Sequence, residues 1–342
     1  MEQLFLQERE IFDEVELCSK DGLLNRESIG WARNSVIVCN LSGRWLRKKK
    51  WNYWYIMGPD CLFSVTVSNI DYAGMVFAYF YDRKNRKFIE KTIMTPFGFG
   101  CRMPCGVNET VIFENSAIKV KILSEGTGTH IFFEDTDFKK EKISGEFIIK
   151  PYNGQETLNV VIPWNERTFQ FTSKQIGLPV EGILTLGNKK YFFNSQDSFA
   201  CLDFGRGVWP YEVMWNWASG FGRFSGRSVA VNLGAKWTDG TGMTENAIFI
   251  DGKSIKLSEN TIFEYDKNDF MKDWKLKTAI SDRVNLVFTP EYERVAKSKV
   301  LFLESEVHQM IGVFNGYIKD EAGQKISVEN MNGCSEEHFG KW

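Results

Sequence analysis

Histidine is nearly absent from this chain: His130, His308 and His338 are the only three. None of them stands at a zinc-ligand spacing from Cys101 and Cys105, so no metal is expected. There is no run of about eighteen apolar residues, which excludes a membrane-spanning helix. The opening MEQLFLQEREIFDEVEL is acidic and has no basic segment leading into an apolar one, so it is not read as a signal peptide. Neither sign of charge dominates. Lys and Arg number 42 against 44 Asp and Glu, for a net charge of −2, where a nucleic-acid binder would show a clustered basic excess. No nucleophile elbow or phosphate loop occurs. Gly98-Phe99-Gly100 and Gly220-Phe221-Gly222 are only the first halves of a dinucleotide fingerprint, so no cofactor is expected. The 7 Cys fall at irregular spacings. They read as reduced, mostly buried thiols of a cytoplasmic protein.

What is present points to an all-β fold. Aromatic residues make up 15% of the chain, with 28 Phe and 11 Trp. Such side chains suit pleated surfaces. Short alternating segments recur with turn signals between them. Cys61 to Val67 places Ser64 and Thr66 between apolar residues, Asp82 to Arg86 is a hairpin loop, and Ala117 to Leu123 alternates cleanly. No helix-period stretch of about ten residues is found in the first half. Asn268 to Trp274 is the one place where a helical turn is expected. Pro163-Trp164-Asn165-Glu166 marks a boundary after which the strand pattern restarts. The expected division is therefore an N-terminal β domain over 1–165, with an extended arm over 1–33, and a C-terminal β domain over 166–342. Two antiparallel barrels or strongly curved sheets in tandem fit a length of 342 residues. Arg47-Lys48-Lys49-Lys50 lies between Trp45 and Trp51. Such a run can grip nucleic acid or a membrane surface, but it more commonly forms the solvated edge of a strand.

One stretch concentrates the chemistry. Asp203 to Gly252 holds Trp209, Trp215, Trp217 and Trp237 among many glycines, with Asp203, Arg206, Glu212, Asn216, Asn232, Glu245 and Asn246 between them. Indole N–H groups need partners when buried. The stretch is consistent with a packed strand pair, or with the wall of an apolar pocket carrying a few polar groups.

The segments LCSKDGLLNRESIGWAR (17–33), CNLSGRWLRKKKWNYW (39–54), DYAGMVFAYF (71–80), GLPVEG (177–182), DFGRGVWPYEVMWNWASG (203–220) and NLGAKWTDGTGMTENAIFIDGK (232–253) resemble a bacterial family known as domain of unknown function 2804. The resemblance runs along nearly the whole chain and brings no activity with it. More distantly, the layout is similar to tandem lipocalin-like, calycin-type proteins related to carotenoid 1,2-hydratases. Those hydratases carry a His-Asp-His type motif near the middle of the chain. Here Trp209-Pro210-Tyr211 and Trp215-Asn216-Trp217 stand instead with no His nearby, so the resemblance does not bring hydratase chemistry to these positions.

Asp203, Glu212 and Glu245 are the acid–base candidates, and of these Asp203 and Glu245 are the catalytic choices. A carboxyl held against Trp or Phe has a raised pKa and can act as a general acid. The competing expectation is a salt bridge to Arg206 or Arg223 that fixes geometry only. Candidate ligand-binding residues are Arg206, Trp209, Tyr211, Trp215, Asn216, Trp217, Asn232 and Asn246. His130 and His308 are expected to be structural. Three functions follow. The first is binding of a small apolar, lipid- or terpenoid-like ligand in an aromatic pocket. The second is a cofactor-independent isomerase, hydratase or cyclase in which Asp203 or Glu245 is the acid and Trp faces stabilise a cation. The third is an interaction protein with exposed Trp and Tyr. Nothing in the sequence decides whether the protein is an enzyme or what its oligomeric state is.

Overall fold

Side chains that alternate in the sequence alternate in burial. Along Ile118–Glu125 the side chains of Ile118, Val120 and Ile122 turn inward, while Lys119 points to solvent. This period of two, repeated along the chain, builds two curled antiparallel sheets. The computed structural model describes residues 5–126, 128–300 and 303–341.

The first sheet runs in the order Lys87–Pro96, Ala73–Asp82, Cys61–Asn69, Lys48–Met57, Phe199–Val208, Thr168–Leu186, Glu141–Ile149, Gly128–Phe138, Ile118–Glu125 and Val111–Glu114. Its two ends approach each other where Lys91 Nζ reaches the buried Asp135 at 2.8 Å. The second sheet runs Lys253–Lys256, Ala247–Ile250, Arg227–Ala235, Glu212–Phe224, Lys325–Lys341, Leu303–Lys319, Val284–Val300, Trp274–Thr278 and Thr261–Glu264. The architecture is the expected one, all-β with two lipocalin-like barrels in tandem.

The strands Thr168–Leu186, Lys189–Phe193 and Phe199–Val208 lie beyond residue 165 but pair within the first sheet. Sheet membership changes only between Val208 and Glu212, because Thr168–Leu186 is the hairpin partner of Leu158–Asn165. The stretch Asp203–Gly252 therefore straddles both barrels. The helical turn expected at Asn268 to Trp274 is not formed. The segment is irregular turns, and Trp274 opens a strand with its indole N–H donated to Phe270 O at 2.9 Å.

The N-terminal segment up to Arg33 holds one short 3-10 turn at Arg26–Ser28 among turns, bridges and the short strands Val15–Glu16 and Trp31–Ala32. It crosses onto the second barrel, where Leu6 N donates to Ser258 O at 2.8 Å.

The buried apolar side chains form three cores. One fills the first barrel around Phe63, Phe133 and Phe147, and another fills the second around Trp274, Phe288 and Phe314. The third lies between the barrels, where Tyr55, Tyr79, Leu62 and Ile176 of the first sheet meet Trp217, Phe221, Ile311 and Cys334 of the second. Each sheet thus buries both faces over this region, one into its own barrel and one against its neighbour.

Candidate functional site

The inter-barrel core contains charge. Lys174, on Thr168–Leu186, pairs with Asp203 on the neighbouring strand. Both side chains point between the barrels, because the even-numbered positions from Gln170 to Ile176, before the bulge at Gly177, face away from the first barrel's core while Phe169 and Phe171 face into it. Lys174 Nζ lies 2.8 Å from Asp203 Oδ1 and 2.9 Å from Glu245 Oε2, so one buried ammonium bridges a carboxylate from each barrel. Burial alone would push the Lys174 pKa down, but the two carboxylates outweigh it and hold the ammonium well above its usual value. Glu245 is buried, and that burial raises its carboxyl pKa against the opposing pull of Lys174. Its Oε1 accepts the Trp237 indole N–H at 2.7 Å. Its Oε2 is held by the Lys174 ammonium at 2.9 Å. Asp203 accepts from the Thr172 hydroxyl at 3.2 Å and keeps 19% of its side chain exposed.

Tryptophans wall this centre. The Lys174 ammonium lies 5.3 Å from the Trp217 ring centroid, and the Trp217 N–H donates to Asn232 Oδ1 at 2.9 Å. Asn232 in turn donates to Glu245 O at 2.6 Å. Trp209 stacks on Trp237 with centroids 5.4 Å apart and donates to Gln170 Oε1 at 2.7 Å. Gly205 is required here. A Cβ at that position would stand 2.1 Å from the Trp51 ring, so only glycine lets the indole lie on the sheet.

A second polar chain continues from the first. Glu336 Oε1 accepts from Trp215 Nε1 at 2.9 Å, and Oε2 accepts from Gln309 Nε2 at 2.9 Å. Gln309 Oε1 accepts the Tyr79 hydroxyl at 2.7 Å, and Tyr79 and Tyr53 share a hydrogen bond of 2.8 Å. Burial pushes the Glu336 carboxyl up to about 7; the Trp215 N–H acts against this and the nearby charge of Asp203 adds to it. Burial beside Trp215 pushes the imidazole of His338 down to about 3, with Arg294 adding to the effect.

The face of the first sheet emerges from under the second barrel by rows. The row holding Tyr55 and Tyr79 is fully buried. The next, Asp203–Tyr53–Thr66–Phe77, has Asp203, Tyr53 and Phe77 half-buried, and in the next, Gly205–Trp51–Ser68–Met75, Trp51 and Met75 are half-buried. The second sheet ends its cover with the half-buried Trp215 and His338. Asp203 and Tyr53 therefore sit where this face passes from full burial between the barrels to partial exposure.

The structure brings Asp203, Glu245, Trp209, Trp215, Trp217 and Asn232 to this centre. Others lie elsewhere. Arg206 points into the first barrel and donates to Trp51 O, Gly205 O, Asn52 Oδ1 and Pro104 O. Asn216 faces the second barrel and donates to Tyr265 Oη and Glu336 O. Asn246 clamps Gly234 N and Glu259 O. Tyr211 and Glu212 are exposed at the linker between the sheets, with Glu212 paired to Lys341. The salt bridges expected to Arg206 or Arg223 are not the ones formed. Arg206 is on the opposite face of its strand from Asp203, and Arg223 donates to Gln196 O and Tyr152 Oη. Lys174 takes that place. Sequence reasoning missed Lys174, Tyr53, Gln309 and Glu336, each an ordinary polar position on a strand. The polar run Ser335-Glu336-Glu337-His338 was the one available signal, since consecutive acids inside a strand must put one on the buried face.

A surface groove of about 640 Å³ lies away from the tryptophans, over Lys119, Lys121, Phe132, Glu134 and Ile183 on the first barrel. Among the described residues no group of His, Cys, Asp and Glu is arranged to hold a metal, and no helix is long and apolar enough to cross a membrane.

Comparisons with known proteins agree with the fold. The model of the family described as a domain of unknown function (DUF2804) matches residues 8–342. A protein of Nitrosomonas europaea assigned as AttH has a similar structure, with a TM-score of 0.52 and 12% identity over 85% of this chain and 92% of that one. Kievitone hydratase from Nectria haematococca aligns over 96% of this chain and 98% of its own, at 10% identity and a TM-score of 0.46. CghA aligns over 86% and 88%, at 10% identity and a TM-score of 0.48. No curated protein matches by sequence.

Proposed function

The chain belongs to the DUF2804 family, and on that premise we propose that it binds a small apolar, lipid- or terpenoid-like ligand in a slot between its two barrels. The observation that carries this reading is a single charged centre set at the inner end of an aromatic wall. Trp51, Tyr53, Phe77 and Trp215 supply half-buried apolar faces, and Asp203 with the Tyr53 hydroxyl supplies the polar handle. Few polar groups converging on apolar walls are the usual form of a small-molecule site. The ligand this suits has an apolar body and one oxygen function. The assignment of Asp203, Glu245, Trp209, Trp215, Trp217 and Asn232 to the site is part of the proposal, as is a cytoplasmic location.

A second reading, cofactor-independent isomerase, hydratase or cyclase chemistry, is favoured by the raised carboxyl pKa values of Glu245 and Glu336 beside Trp237 and Trp215. A carboxyl whose pKa is raised by burial holds its proton to higher pH and can give it to an alkene or enol, and indole faces attract the cation that results. Asp203 is the most accessible of the three carboxyls for a base or acid role. The interaction-protein reading loses its premise at the centre, because Trp209, Trp217 and Trp237 are buried.

Native mass spectrometry of protein purified gently from its host, with organic extraction of bound material, tests the first reading. One recurring apolar molecule supports it, and an empty slot in every preparation counts against it. With that molecule in hand, Asp203→Asn and Glu245→Gln separate the readings. Turnover lost with affinity kept supports catalysis. Loss of affinity with folding kept supports a ligand-binding role for the carboxylate, and loss of folding assigns it to structure.

A further inference from the structure

The rows of the first sheet continue outward past the slot. Beyond Trp51 and Met75 the next side chain in the row is Met94, which is 61% exposed. Met94 leads into the loop that carries Phe97 and Phe99, exposed by 61% and 67%. Phe97 N donates to Tyr72 O at 3.0 Å, and Lys49, over the Tyr72 ring, ties the same turn to the segment that projects Trp45, the most exposed of these side chains at 76%. Arg44, Leu46 and Phe97 hold positive φ values of 47°, 63° and 51°. Non-glycine residues adopt that backbone rarely, so these are fixed turns that hold side chains out. Cations ring the tips: Arg44, Arg47, Lys48 and Arg102, of which Lys48 pairs with Asp71 and Arg47 donates to Trp209 O. The nearby acids include Asp71, paired with Lys48, Glu114, whose charge interacts with Arg102, and Asp21, beside the turn at Gly43.

We infer that this end of the first barrel docks on an anionic lipid surface. Aromatic tips that stand out singly, with cations behind them, match the chemistry of a bilayer interface. The rings enter the headgroup region and the cations meet acidic headgroups. Continuity with the slot says why. A molecule with little solubility in water would pass from the bilayer along Met94, Met75 and Trp51 to Tyr53 without crossing solvent. The docking does not depend on the ligand proposal. The use of docking for uptake does.

Co-sedimentation of the full chain with phosphatidylcholine vesicles containing about one quarter phosphatidylglycerol tests the inference. The wild type is expected to sediment with these vesicles, less with pure phosphatidylcholine, and less as salt is raised. Trp45→Ser, Phe97→Ser and Phe99→Ser combined should weaken binding at least about tenfold, as expected for losing three inserted apolar groups. The thermal midpoint should stay unchanged. Lack of vesicle binding by the wild type, or equal binding by the triple variant, overturns the inference. So does a wild-type dimer that the triple variant converts to monomer, which would make the patch a self-interface. Because the assay contains no extracted ligand, its failure leaves the ligand proposal to be judged separately.

Discussion

Lys174 is the residue on which the inter-barrel centre turns, because it neutralises two carboxylates that would otherwise repel each other in a poorly solvated place. Glu336 lies outside that pairing, and its titration gives a prediction. Its folded pKa is about 7 against an ordinary value of 4.5, so between those values the folded state holds a proton that the unfolded chain has released. Stability contributed by this group is therefore full below about pH 4.5 and is lost as pH rises toward 7, by on the order of 3 kcal/mol. His338 acts in the other direction. Its folded pKa of about 3 lies below the ordinary 6.5, so its term is lost as pH falls through that window. Urea denaturation of the wild type and Glu336→Gln at pH 5 and pH 7.5 isolates Glu336, since His338 is common to both. The glutamine variant should gain stability relative to the wild type at the higher pH. An equal difference at both pH values would refute the assignment. Sequence reasoning singled out Asp203 and Glu245 because they lie beside apolar segments in the Trp- and Gly-rich stretch, and passed over Lys174 because nothing local marks a lysine whose strand neighbour is an aspartate.

Among elements, the arm does more than cover an edge. The Glu8 side chain is fully buried against Lys256, and its Oε1 accepts Thr244 N at 2.6 Å, one residue before Glu245. The arm thus fixes the loop that delivers Glu245 to Lys174. Glu8→Ala leaves the Lys256 ammonium buried without its carboxylate, a change that costs about 3–5 kcal/mol when such a pair is broken on one side. Chemical denaturation should report that loss. Hydrogen exchange should quicken across residues 236–246 while the strands of the first barrel stay protected. The sequence set residues 1–33 apart as an arm. Its destination was not legible, since Glu8 and Lys256 meet only after both barrels have formed.

For the whole molecule, the shared core makes the two barrels interdependent. Tyr55, Tyr79, Phe221 and Ile311 are buried only because the barrels face each other. We propose the domain division at Trp209 to Tyr211, where sheet membership changes, rather than at residue 165. Fragments cut there should each be poorly soluble alone and recover native tryptophan fluorescence when mixed, while the intact chain should unfold in one calorimetric transition. Two well-separated transitions would show that the inter-barrel core contributes little. The sequence by itself determined the all-β class, the tandem repetition of strands and the concentration of Trp and Gly in one stretch. Each of these follows from local alternation and composition, which act before any long-range contact is made. Only the tertiary structure decided which barrel each strand joins, that Lys174 rather than Arg206 meets Asp203, and that Glu336 belongs to the same centre. Those outcomes depend on strand register and on which face of one sheet meets the other, and a one-residue change in register would turn every one of these side chains to the opposite face.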